Sequence, residues 1–266
     1  MFFRENGMNV DLVDFYKGRT VFLICNGPSF GRVDHDLLRR SSIFTFGINN
    51  GGHLFRPNFW TCVDDPTRFM TSIWEDPTML KFVPMAHFQK PIWLDAEERM
   101  SDDTVAAYPS IIGFRRNERF QAAQWLYEDT INWGNHEDLG GGRSVMISAL
   151  RICHLLGFRR VNLLGCDFHM EKEAGYWFDE QRSDNAVKNN NNSYRIMTGF
   201  FRELLPHFEK AGLEVVNCTE GSHLDVFPMG SLKEAIEEAA VDVSAETYGK
   251  YVNRHKIQKP KEEGGE

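Results

Sequence analysis

The chain alternates short apolar runs with abrupt polar or glycine-rich stops. Val21-Phe22-Leu23-Ile24-Cys25 ends in Asn26-Gly27-Pro28-Ser29. Ser42 to Gly47 ends in Ile48-Asn49-Asn50-Gly51-Gly52, and Phe59 to Val63 ends in Asp64-Asp65-Pro66. Uninterrupted apolar runs of this length read as strands buried on both faces, the habit of parallel sheets. Asp34 to Arg40 reads as a short helix between the first two. Leu139-Gly140-Gly141-Gly142-Arg143-Ser144 leads into a helix predicted from Ser144 to Leu156, with Val145, Ala149, Ile152, Leu155 and Leu156 at helical spacing. Gly157 stops it, and Arg160 to Phe168 reads as another buried strand ending in Gly165-Cys166-Asp167. A helix from Tyr194 to Ala211, a strand from Leu213 to Cys218 and a helix from Ser231 to Ala240 complete the pattern. The alternation predicts an α/β fold: a Rossmann-like, mostly parallel sheet with helices on both faces.

From about 67 to 137 the pattern loses its regularity. Phe82 to Met85 and Ile92 to Leu94 read as short strands inside a middle insertion, either a substrate-facing lid or an elaborated surface. Residues 1–255 are expected to form a single catalytic domain carrying this insertion, followed by a polar tail at 256–266. Asn189-Asn190-Asn191-Asn192 reads as a flexible polar loop, with a lid over the ligand as the alternative.

Composition narrows the class. In 266 residues the hydrophobic fraction is 42% and the aromatic fraction 13%, enough for a packed core. No apolar run approaches the roughly 20 residues that span a bilayer. The N-terminus Met1-Phe2-Phe3-Arg4-Glu5-Asn6 does not read as a signal peptide, so a cytoplasmic location is expected. Five cysteines without Cys-x-x-Cys spacing read as reduced and buried. A net charge of −8 makes broad nucleic-acid binding less favourable, although Arg115, Arg116 and Arg119 form a local basic segment.

The polar stops carry the candidate chemistry. In open α/β sheets ligands bind beyond the carboxyl ends of the strands. Asn26, Gly27, Ser29, Asn49, Asn50, Asp64, Asp65, Gly141, Gly142, Ser144 and Asp167 all fall at such ends or at one helix start. Each alone is compatible with a turn residue. Their convergence on one sheet edge favours a nucleotide held by neutral hydrogen bonds. Neither Gly-x-x-x-x-Gly-Lys-Ser/Thr nor Gly-x-Gly-x-x-Gly is present. Asp64 and Asp65 are candidate ligands for Mg²⁺ or Mn²⁺, against a plain turn opening. His169, Asp65 and Asp167 are candidate bases, and His223 is a second histidine after a strand.

The ordered set resembles a known family. Asn-Gly-Pro-Ser after the first strand, Asn49-Asn50 after the second and Gly-Gly-x-Ser at a helix start are three of its elements. Leu163-Leu164-Gly165-Cys166-Asp167-Phe168, followed by Gly175-Tyr176-Trp177-Phe178-Asp179, is the fourth. From Val21 to about Phe227 they look like the bacterial sialyltransferases that use CMP-sialic acid. Gly-Pro-Ser and Leu-Gly-x-Asp also look like a broader group that includes the archaeal 6-hydroxymethylpterin diphosphokinases. By the first resemblance, Asn26, Asn49, Gly142 and Ser144 hold the nucleotide. Tyr176 matches the second of two tyrosines that bind the departing phosphate, and His169 stands where the first would be. The family's base histidine has no counterpart in Asn189 to Tyr194.

The implied function is glycosyl transfer from a CMP- or UDP-linked sugar to a hydroxyl acceptor, with Mg or Mn as an optional cofactor. Diphosphate transfer from ATP, with Asp64 and Asp65 on the metal, is the alternative. A nucleotide-binding protein without catalysis is the third.

Overall fold

The computed structural model describes residues 1–117, 120–127, 129–131, 144–173, 175–180, 182–248 and 250. Its centre is an eight-stranded sheet. In chain order the strands are β1 (Phe2–Phe3), β2 (Thr20–Ile24), β3 (Phe44–Ile48), β4 (Phe59–Thr61), β5 (Leu80–Pro84), β6 (Pro91–Leu94), β7 (Arg99–Thr104), β8 (Ile111–Phe114), β9 (Arg160–Leu164) and β10 (Glu214–Asn217). The order across the sheet is β1-β8-β5-β4-β3-β2-β9-β10. All neighbours are parallel except the edge pair β1 and β8. β6 and β7 form a separate antiparallel hairpin.

The fold is therefore the α/β, mostly parallel sheet that the apolar runs predict. Its order reverses at β2, which lies between β3 and β9. That reversal is the switch point where doubly wound sheets open a crevice beyond their strand ends.

β2 shows why a continuous apolar run is required. Val21 and Leu23 belong to one buried cluster, together with Ile147, Leu150, Phe201 and Leu204. Phe22 and Ile24 belong to another, with Leu38, Phe55, Ala235 and Ile236. Successive side chains point to opposite faces, and here both faces are covered. Among the described residues the helices are α1 (Gly51–Leu54), α2 (Thr71–Glu75), α3 (Val145–Leu155), α4 (Asp184–Ala211) and α5 (Leu232–Ala239). The segment expected as a helix at Asp34 to Arg40 is a 3-10 turn, His35–Arg39, capped by the Asp34 carboxylate.

Two expectations need correction. The middle segment is not an insertion throughout, because β5 and β8 are strands of the central sheet. Asn189 to Asn192 is not a loop, because α4 begins at Asp184. The Ser183 side chain accepts from the Ala186 amide and fixes that start. The polar tail at 256–266 lies outside the described residues. Among the described residues no helix is long and apolar enough to cross a membrane. The five cysteines are all free thiols, four of them buried.

Candidate active site

The turn after β2 is locked to the turn after β9. The Gly27 amide donates to the Gly165 carbonyl at 2.8 Å, and the Cys25 amide to the Leu164 carbonyl at 2.8 Å. The Asp167 carboxylate accepts the Ser29 hydroxyl at 2.6 Å and the Ser29 amide at 3.3 Å. The approach is close enough to need glycines. A Cβ at Gly27 would overlap the Asp167 carboxylate, and one at Gly165 (φ +62°) would lie 2.7 Å from the Cys25 carbonyl oxygen.

These locked turns wall a cleft of about 670 Å³ at the switch point. Asn26, Gly27, Asn49, Asp64, Ser144, Asp167, His169 and Tyr176 line it together. Distant turns thus meet in one cavity, on which the nucleotide reading depends.

Asn26 Oδ1 and Asn49 Oδ1 are shielded from solvent by neighbouring atoms and have no hydrogen-bond partner among the described residues. Gly51, at the start of α1, leaves the room that the Asn26 carboxamide fills. Asn49 has φ +50°, a left-handed conformation that asparagine tolerates better than most residues. Its backbone is pinned there by the Trp60 indole N–H, which donates to the Asn49 carbonyl at 2.8 Å.

Ser144 caps α3, its hydroxyl oxygen accepting the Met146 amide at 3.0 Å. The N-terminal end of the 11-residue α3 therefore borders the cleft at Ser144, Val145 and Met146. Such an end carries partial positive charge and donors suited to phosphate.

Tyr176 lies across the cleft. Its hydroxyl accepts from Arg182 at 3.1 Å, and that guanidinium sits 5.0 Å from the ring centroid. Arg182 also pairs with Glu180. Burial pushes the Tyr176 phenol above its usual range, so it stays protonated and able to donate. Tyr194 behaves alike: burial raises it well above the ordinary phenol range.

Other candidates are used elsewhere. Ser29 is buried on Asp167, and Asp167 is occupied with Ser29, so both hold the turn rather than present a free group. Asn50 turns away from the cleft: its carboxamide accepts the Met70 amide and donates to the Arg68 carbonyl. Asp65 also turns away, onto Lys90 at 2.8 Å and Thr67. Burial raises its carboxyl, but hydrogen bonds from Lys90 and Thr67 outweigh that and hold it at about 2. Asp65 is therefore neither a base for a ligand in the cleft nor a partner for Asp64 there. Asp64 does line the cleft, paired with Arg68 at 3.3 Å.

Among the described residues no three His, Cys, Asp or Glu side chains gather to hold a metal ion. Asp64 lines the cleft and Asp65 does not, so the two carboxylates are not placed to share a Mg²⁺ or Mn²⁺ there. Gly141 and Gly142 lie outside the described residues.

Tyr194 and Arg182 line the cleft without any signal in the sequence, and Asn189, Asn190 and Asn192, expected in a loop or lid, line it from a helix. Asn189, Asn190 and Asn192 of α4 bring side-chain amides to one wall of the cleft. Asn191 anchors that wall by bonding both the amide and the carbonyl of Met170 at 2.9 Å.

No protein-family model and no curated protein matches the chain. It is similar to a solved structure of the sialyltransferase CstII from Campylobacter jejuni in complex with a substrate analogue, cytidine-5'-monophosphate. The identity is 12%, the match covers 80% of this chain and 85% of that one, and the TM-score is 0.42.

Proposed function

We propose that the chain is a metal-independent glycosyltransferase that takes its sugar from a CMP- or UDP-linked donor. The observation that carries this reading is the convergence of Asn26, Asn49, Ser144 and Tyr176, from distant turns, on one cleft beside the start of α3. Carboxamides lining a cleft recognise a ligand that offers matching hydrogen-bond donors. The base N–H groups and ribose hydroxyls of a nucleotide are such donors, and the α3 end suits its phosphate. The motif order shared with CMP-sialic-acid-dependent enzymes supports the same assignment.

In the reaction, an acceptor hydroxyl oxygen forms a bond to the anomeric carbon of the donor sugar. The bond from that carbon to the phosphate oxygen breaks, and the nucleotide leaves with the electron pair. His169 takes the hydroxyl proton. The Tyr176 hydroxyl, the Ser144 hydroxyl and the α3 amides donate to the leaving phosphate, and Arg182 adds a positive charge nearby.

Titration calorimetry with CMP, UDP and their sugars, with EDTA and with added Mg²⁺, tests the reading. Binding that EDTA leaves unchanged is expected. Failure of every one of these nucleotides to bind, or binding only with Mg²⁺, would overturn it.

A further inference from the structure

Beside the nucleotide cleft lies a second cavity of about 360 Å³. One wall is α4, whose Asn191, Arg195, Thr198 and Arg202 follow one another at helical spacing and so share a face. The opposite wall comes from the turns after β9 and β10, which supply His169, His223 and Asp225. His169 and His223 stack with ring centroids 4.8 Å apart. Phe168, His169 and Tyr194 line both cavities, so the two are joined at that threshold. Phe168 and Tyr194 stack there at 5.0 Å, and Phe168 is held at φ +53°.

The groove carries two arginines, of which one lacks an acidic partner among the described residues. Arg202 is offset by Asp225 at 3.0 Å, and His169 faces Glu171 at 3.6 Å. The Arg195 guanidinium donates to the neutral Asn192 carboxamide at 3.1 Å. Among the described residues no carboxylate pairs with it. An exposed arginine of this kind offers its fork to a carboxylate or phosphate. The groove opens where His169 would deprotonate an acceptor.

We propose that this groove is the acceptor subsite and that the acceptor is a saccharide bearing an anionic group, held by Arg195 beside the two histidines. The role as acceptor subsite rests on the glycosyltransferase reading; the preference for an anionic sugar does not.

Three probes test it by saturation-transfer and histidine-ring NMR titration: methyl β-glucuronide, glucose 6-phosphate and the neutral methyl β-glucoside. At least one anionic probe is expected to bind about 10-fold or more tightly than the glucoside, as charge-assisted bonds allow. It should move the His169 and His223 ring resonances. The stronger of the two anionic probes identifies the group as carboxylate or phosphate. Arg195→Gln, an exposed change that leaves the core intact, should reduce the preference to about 3-fold or less. Equal affinity for charged and neutral probes, no binding of either anion, or a preference that survives Arg195→Gln would overturn the proposal. CMP and UDP titrated into the same variant should bind as in the wild type. Wild-type protein that selects the anionic sugar yet binds no nucleotide would defeat the glycosyltransferase reading and leave the groove's specificity standing.

Discussion

Asn49 allows ligand recognition to be separated from backbone strain. Its φ of +50° suits glycine but not alanine. Asn49→Ala keeps the Cβ but loses the short polar side chain that makes the left-handed region tolerable for asparagine, and should cost about 1 kcal/mol of folding stability. Asn49→Gly deletes the same carboxamide without that penalty and should change stability by no more than about 1 kcal/mol. The bonds that pin this turn, Trp60 Nε1 to the Asn49 carbonyl and the Asn49 amide to the Thr61 carbonyl, are made by the residue's backbone and survive in both variants. If Asn49 Oδ1 accepts one neutral hydrogen bond from the nucleotide, its removal costs about 0.5–1.5 kcal/mol, or roughly a 2- to 13-fold rise in Kd. Both variants should show this rise in calorimetry, while urea denaturation should separate them. An Asn49→Gly protein with wild-type affinity would refute the role of the carboxamide. Loss of affinity in Asn49→Ala alone would assign the effect to turn shape instead.

Tyr176→Phe removes one donor to the leaving phosphate and should lower kcat by about 10²–10³-fold, with little change in nucleotide affinity, measured by nucleotide release. Ser29→Ala breaks the bond to the Asp167 carboxylate and should destabilise the fold by about 1.5–3 kcal/mol in urea denaturation, since the lost partner is charged. Gly51→Ala would drive a Cβ into the Asn26 carboxamide and should weaken CMP or UDP binding in calorimetry more than Asn26→Ala does. The Asp65 carboxyl is lowered to about 2 in the folded state from a starting value of 3.8, so its contribution is present above that starting value and is lost as pH falls towards 2. Because the pair with Lys90 is partly exposed, it amounts to no more than about 1 kcal/mol. Asp65→Asn should therefore lower stability at pH 5 and leave it unchanged below pH 2, as read by urea denaturation.

The elements that build the site were legible where sequence and burial agree. β2, β9 and α3 are continuous apolar stretches with sharp ends: Gly165 after β9, Ser144 before α3 and Gly157 after it. Each end does locally what its residue type does best. The doublets were less legible. Asn49 and Asn50, like Asp64 and Asp65, are adjacent, and neighbouring side chains leave the backbone in different directions. One member of each pair faces the cleft and the other braces a neighbouring turn.

The start of α4 was hidden because asparagine has low helix propensity and favours turns. Packing overrides that preference here: Asn191 bonds Met170, and Met197, Phe200, Phe201 and Leu204 bury the face that follows. β1 was hidden because two residues carry no periodicity, and only the distant partner β8 makes Phe2–Phe3 a strand. β5 and β8 looked like parts of an insertion because the β6–β7 hairpin separates two strands of one sheet.

The account stands on a nucleoside phosphate gathered by distant turns into one cleft, and a crystal structure of the chain grown with CMP or UDP tests that most directly. The account predicts nucleoside groups on Asn26 and Asn49 and phosphate at Ser144 and the first turn of α3. A nucleotide bound elsewhere, or in the cleft with both carboxamides still unpartnered, would contradict it.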